Sequence, residues 1–296
     1  MFFDWPLSAR FEGVLSFRKA FMRFAICQEL YEGWSWERQC AFSAELGYQG
    51  LEVAPFTLAP RITDVSSGQR AEYRRVAQSH GLSIIGLHWL LAKTEGFHLT
   101  TKEAAVRQKT AAYLAELARG CADLGGQILV LGSPQQRQLE VGMTKETGME
   151  HAREVLEAIE PVLAETRVTL CLEPLSPKET NFLNTCGEAV ALIDQIGSPW
   201  IRLHQDVKAM LSEPTPIDQL IMKYASYTSH FHVNDANLLG PGMGTTDFAP
   251  IFDALFKSGY AKWVSVEVFD YSPGAEVIAR ESIAHMQRFC EDARSC

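Results

Sequence analysis

Short apolar runs of four to six residues alternate along this chain with longer segments whose apolar positions recur every three or four residues. The first kind predicts strands buried on both faces of a parallel sheet, and the second predicts amphipathic helices packed over it. Strands are expected at Phe24–Cys27, Gly50–Ala54, Ser83–Leu87, Gln127–Leu131, Val168–Leu172, Ile201–Asp206, Ser229–Val233 and Trp263–Val268. Helices are expected at Trp36–Leu46, Gly68–Ser79, Lys102–Leu124, Glu146–Glu165, Gly187–Ile196, Ile217–Tyr224, Phe248–Lys257 and Ala275–Glu291. Ser35 is placed to cap the first helix, and Gly47, Gly81, Gly125 and Gly259 to close helices. Pro161 should kink or shorten the fourth. Eight strand–helix alternations of about 30 residues each predict an α/β fold, a (β/α)8 TIM barrel, as one domain over residues 22–296. No G-x-G-x-x-G follows the first strand, which argues against a dinucleotide-binding sheet. Residues 1–21 match no strand–helix unit and are read as an N-terminal extension.

The chemistry sits at the strand ends. The run Val168–Leu172 stops on Glu173 and Pro174, IRLHQD stops on Asp206, SHFH on His232, and WVSVE on Glu267. These four positions are spaced by 33, 26 and 35 residues, about one strand and one crossover helix each. A charge at the end of a buried strand costs several kcal/mol unless it is paired or metal-bound. In such a barrel the C-terminal strand ends form the active face. Three carboxylates and an imidazole converging there suit a hard or borderline divalent ion, Mn²⁺ or Mg²⁺ before Zn²⁺. His230 shares the face of His232 but lies deeper, so it and His204 are read as barrel lining or as support behind the ligands. His88 and Trp89, at the mouth of the third strand, are candidate substrate contacts. So are Glu179, Asn181 and Asn184 in the loop after Glu173, and Glu52 on the second strand, which is placed to contact substrate, to orient a ligand or water, or to stand as a structural charge in the barrel.

Composition narrows the partners. A formal charge of −9 argues against a nucleic-acid partner, and no apolar run is long enough to span a bilayer. The N-terminus lacks the clean apolar core and cleavage site of a signal peptide. Seven cysteines, an odd number with no C-x-x-C, read as free thiols in a reducing cytoplasm. Oligomeric state is left open, a homo-oligomer included.

The stretches EPLSPKETNFLNT, HFHVND and VSVEVF resemble the sugar-phosphate isomerase/epimerase superfamily with the xylose isomerase-like barrel, above all its ketose (tagatose and psicose) 3-epimerase branch. The resemblance runs from about Met22 to the end of the chain. It implies one divalent ion, Mn²⁺ first with Mg²⁺, Co²⁺ or Zn²⁺ as alternatives, held by Glu173, Asp206, His232 and Glu267. It implies that Glu173 and Glu267 also move the proton, and that Glu179 contacts a sugar or sugar derivative. The branch carries a His where this chain has Ala209 and an Arg where it has Leu238, and the loop GPGMGTTDF looks adapted to another ligand. The expected activity is isomerisation or epimerisation by proton transfer beside a carbonyl through an enediolate. Alternatives are a lyase or hydrolase acting on a keto-glycoside or keto-acid at the same site, an abasic-site endonuclease, and a non-catalytic sugar-binding protein.

Overall fold

In a computed structural model that describes residues 22–295, eight parallel strands close into a barrel in sequence order, β8 pairing with β1. The strands are β1 Arg23–Cys27, β2 Gly50–Val53, β3 Ser83–Leu87, β4 Ile128–Leu131, β5 Thr169–Leu172, β6 Ile201–Asp206, β7 Thr228–Val233 and β8 Trp263–Val266. The helices are α1 Trp36–Leu46, α2 Ser67–Ser79, α3 Ala104–Leu124, α4 Lys145–Thr166, α5 Cys186–Ile196, a one-turn α6 Val207–Met210, α7 Ile217–Tyr224, α8 Ala249–Lys257 and α9 Ala275–Ser295. The N-terminal extension read at residues 1–21 lies outside the described residues. No described helix is long and apolar enough to cross a membrane.

Local chemistry sets the boundaries. Ser35, Thr144 and Thr185 each accept a backbone N–H at a helix start, and Ser66 and Gln69 form a capping box on α2. Gly47 and Gly125 close α1 and α3 in the left-handed conformation that a glycine adopts without strain. Pro161 does not shorten its helix: α4 runs through it to Thr166. Pro161 forfeits one backbone bond, a cost of about 3 kcal/mol. Val155, Leu156, Ile159 and Leu163 are buried on either side of it, each worth about 1.5–3 kcal/mol, so packing carries the helix through. Gly86 lets β3 and β4 approach, since a Cβ there would lie 2.2 Å from the Ile128 carbonyl oxygen.

Two features of the sheet place the site. A register shift at Leu203/His204 brings His204 opposite His230 and Asp206 opposite His232. Below the mouth the barrel is filled by a polar layer, with Cys27, Glu52, His204, His230 and Ser265 all buried.

Candidate active site

Each candidate ligand is held by a group from a neighbouring strand end. Asp206 ends β6 and caps α6: its Oδ1 accepts the Ala209 N–H at 2.8 Å, and its Oδ2 accepts from Asn234 Nδ2 at 2.6 Å. His232, on β7, has Nε2 3.1 Å from Glu52 Oε2 and Nδ1 3.1 Å from Glu267 Oε2. Glu267 follows β8, and its Oε1 accepts from Trp89 Nε1 at 2.6 Å and lies 3.2 Å from His88 Nδ1. The far nitrogen of His88 meets Glu29 Oε2 at 2.8 Å. Glu173 follows β5; its backbone N–H bonds the Leu131 carbonyl, and its own carbonyl accepts from Arg137 Nη1 at 2.7 Å. Its carboxylate occupies the space a side chain on residue 132 would fill, with a Cβ on Gly132 falling 1.8 Å from Glu173 Oε2.

Glu173 and Glu267 open on one cavity of about 330 Å³, within the usual range for a small-molecule site, whereas Asp206 and His232 lie buried behind its wall. His88, Trp89, Glu173, Glu179 and Glu267 line it, as the sequence suggested. Glu52 does not reach it: the side chain is fully buried beneath His232, with Oε2 shared between His230 (2.8 Å) and His232. Nor does Asn181, whose amide clasps the Leu139 backbone on the surface, or Asn184, which ties the Leu175 and Thr180 carbonyls. Ala209 is buried and Leu238 sits in a tight turn with φ 71°, both outside the cavity wall.

The GPGMG loop folds away from the cavity. Asp235 gathers the backbone N–H groups of Gly244, Thr245 and Thr246, and a Cβ on Gly240 or Gly242 would strike Ser282 or His285 of α9. These contacts give the GPGMG segment a packing role, and no residue of the loop lines the cavity.

Sequence reasoning missed several wall and support residues. Lys208 lines the cavity, bonded to Glu179 at 2.8 Å with its Nζ 3.7 Å from the Phe269 ring centre. Phe269 stacks on Trp89, giving the cavity one aromatic wall. Arg137 and Glu29 are buried charges on short 3-10 turns, Glu29 on the turn directly after β1, and neither is the residue on which an apolar run stops.

The electrostatics describe a site short of positive charge. Burial pushes the Glu173 carboxyl up to about 8, reinforced by the charges of Glu267 and Asp206. Burial also leads the upward shift of Asp206. Burial opposes ionisation of Glu267 and Glu52 as well, but there the neighbouring histidines outweigh it and hold both carboxyls well below the usual range. For His232, burial favours the neutral ring, yet Glu52 leads the charges that raise it well above its ordinary value. Among the described residues, no lysine or arginine pairs directly with Glu173, Asp206 or Glu267. Glu173, His204, Asp206 and His232 each offer a donor atom within 4.8 Å of the others. This crowded, cation-poor donor set fits a divalent ion, and Glu52 behind His232 supplies the supporting carboxylate that metal-binding imidazoles usually have.

A stability prediction follows. In the metal-free protein Glu173 titrates near 8, against an ordinary value of 4.5. A raised acid contributes its full stability below 4.5 and loses it as pH climbs through 8, at about 1.4 kcal/mol per pH unit. Metal-free Glu173→Gln keeps the neutral form, so its advantage over wild type in urea unfolding should be absent at pH 4.5 and grow toward pH 8. A constant difference across that range would place the Glu173 titration elsewhere.

Residues 40–289 match the family described as the xylose isomerase-like TIM barrel. This chain belongs to that family. Within it, the chain is 29% identical over 243 residues to L-ribulose 3-epimerase of Mesorhizobium japonicum, covering 79% of this chain and 75% of that protein. It is 26% identical over 226 residues to D-psicose 3-epimerase of Enterocloster bolteae, covering 76% and 73%. The solved structure of an L-ribulose 3-epimerase superimposes with a TM-score of 0.80 over 93% of this chain and 96% of its own, at 24% identity, a likeness of fold.

Proposed function

We propose that this protein is a divalent-metal-dependent carbohydrate epimerase or isomerase that moves a proton beside a carbonyl through an enediolate. The observation that supports this most is the placing of Glu173 and Glu267 on one cavity, after β5 and β8, with Asp206 and His232 on the strands between. The curated relatives, sugar 3-epimerases by name, point the same way. Glu173, Asp206, His232 and Glu267 would hold the ion, Mn²⁺ first, which when bound would acidify the carbon-bound proton beside the substrate carbonyl. Glu173 and Glu267 then exchange that proton from the two sides of the cavity. Trp89 and Phe269 present ring faces to the sugar carbons, and the Glu179–Lys208 pair on the cavity wall meets its hydroxyls. We assign the protein to a reducing compartment, the cytoplasm, since its six described cysteines are buried and unpaired.

The test is to incubate the Mn²⁺-loaded protein with ketoses and keto-sugar derivatives and follow them by NMR. We expect an epimer or isomer to accumulate, chelation to stop it, and Asp206→Asn to weaken ion binding by at least the 10–100-fold typical of supporting groups. Asn keeps the side-chain oxygen that caps α6 but sets its NH₂ against Asn234 Nδ2, so folding is checked alongside ion binding. Release of a cleaved product instead would replace epimerisation by elimination or hydrolysis.

A further inference from the structure

His204 has no place in this mechanism, yet its environment is unusual. The ring is fully buried on β6, and neither of its nitrogens has a hydrogen-bond partner among the described residues. A neutral imidazole carries one donor and one acceptor, and each buried group left unmet costs about 1–3 kcal/mol. A leucine or phenylalanine would line the barrel without that cost. The register shift beside it turns its ring against His232, centroids 4.2 Å apart and nearly perpendicular, with Nε2 4.0 Å from Glu173 Oε1. Two donors bound to one ion at about 2.0–2.2 Å each lie no more than about 4.4 Å apart, so this pair is already within the span of a shared ion.

We propose that His204 is a further donor to the divalent ion, and that the ion is therefore of the borderline class (Co²⁺, Ni²⁺, Fe²⁺ or Zn²⁺) rather than Mg²⁺. The inference rests on the metal-site reading given above and alters its ion. An imidazole added to Glu173, Asp206 and His232 makes the donor set richer in nitrogen than a site built for Mg²⁺, which takes oxygen ligands. The bland alternative is a buried water bridging His204 to His230 Nδ1, which also lacks a partner.

The full-length protein, stripped of metal, is titrated by calorimetry with Co²⁺ and separately with Mg²⁺, and the visible spectrum of the Co²⁺ form is recorded. The proposal expects Co²⁺ to bind at least 100-fold more tightly than Mg²⁺. It expects folded His204→Phe to lose at least the 10–100-fold associated with supporting groups for Co²⁺, with a changed spectrum. X-ray absorption on wild-type Co²⁺ protein counts imidazole donors whether or not the variant folds, and two are expected. One imidazole, or a folded His204→Phe with wild-type affinity and spectrum, overturns the proposal and leaves the metal site standing. If wild type binds neither ion, the metal-site reading itself fails.

Discussion

Glu267→Gln is expected to lower turnover by about 10²–10⁴-fold, the usual worth of a positioned acid or base, while the barrel stays folded. Both carboxylate oxygens are used. One accepts from Trp89 and lies beside His88, and the other meets His232. A glutamine offers one accepting oxygen and one NH₂, so one of these contacts becomes donor against donor. The substitution therefore removes the proton acceptor and turns the group away from its bearing. Because Glu267 is also a proposed ligand, ion content is measured alongside turnover. A metal-loaded Glu267→Gln with wild-type turnover would remove it from proton transfer.

Gly132→Ala is expected to be nearly silent in stability and severe in activity. The added methyl meets the mobile end of a side chain, Glu173 Oε2 at 1.8 Å, with no backbone atom among its nearest neighbours. Glu173 can swing aside at little cost to the fold, but its carboxylate must leave its place on the cavity wall. A displacement of about 1 Å at a reacting group can cost about 10²-fold, so turnover should fall at least that far with the melting temperature almost unchanged. Retained activity would mean that Glu173 works from another position.

The barrel was legible because strand runs and helix periodicity kept one rhythm through the whole described chain, and glycine and hydroxyl caps marked the breaks. Asp206, His232 and Glu267 stood out as polar residues ending apolar strands; the structure sets Asp206 and His232 in one donor cluster with Glu173, and Glu267 beside His232 on the cavity wall. Depth was legible only in part: His230 and His204 were placed in the barrel lining, where they lie, but Glu52 was given a reach to the cavity that its position beneath His232 denies it. Loop residues were misread in both directions. Asn181 and the GPGMG loop had polar or glycine-rich composition yet serve local packing, whereas Arg137, Glu29 and Lys208 reach the site over distances no sequence period encodes. The power of Pro161 to shorten α4 was overweighted because a local penalty was not set against the burial on both sides of it.

The most direct test of proton transfer between Glu173 and Glu267 is solvent isotope incorporation. The metal-loaded protein is incubated in D₂O with a keto-sugar it interconverts, and the carbon-bound positions are followed by NMR. Deuterium should enter at the single carbon beside the carbonyl, at a rate matching epimer formation, and Glu267→Gln should abolish both together. Epimer formation with no deuterium at that carbon, in product or recovered substrate, would contradict the account.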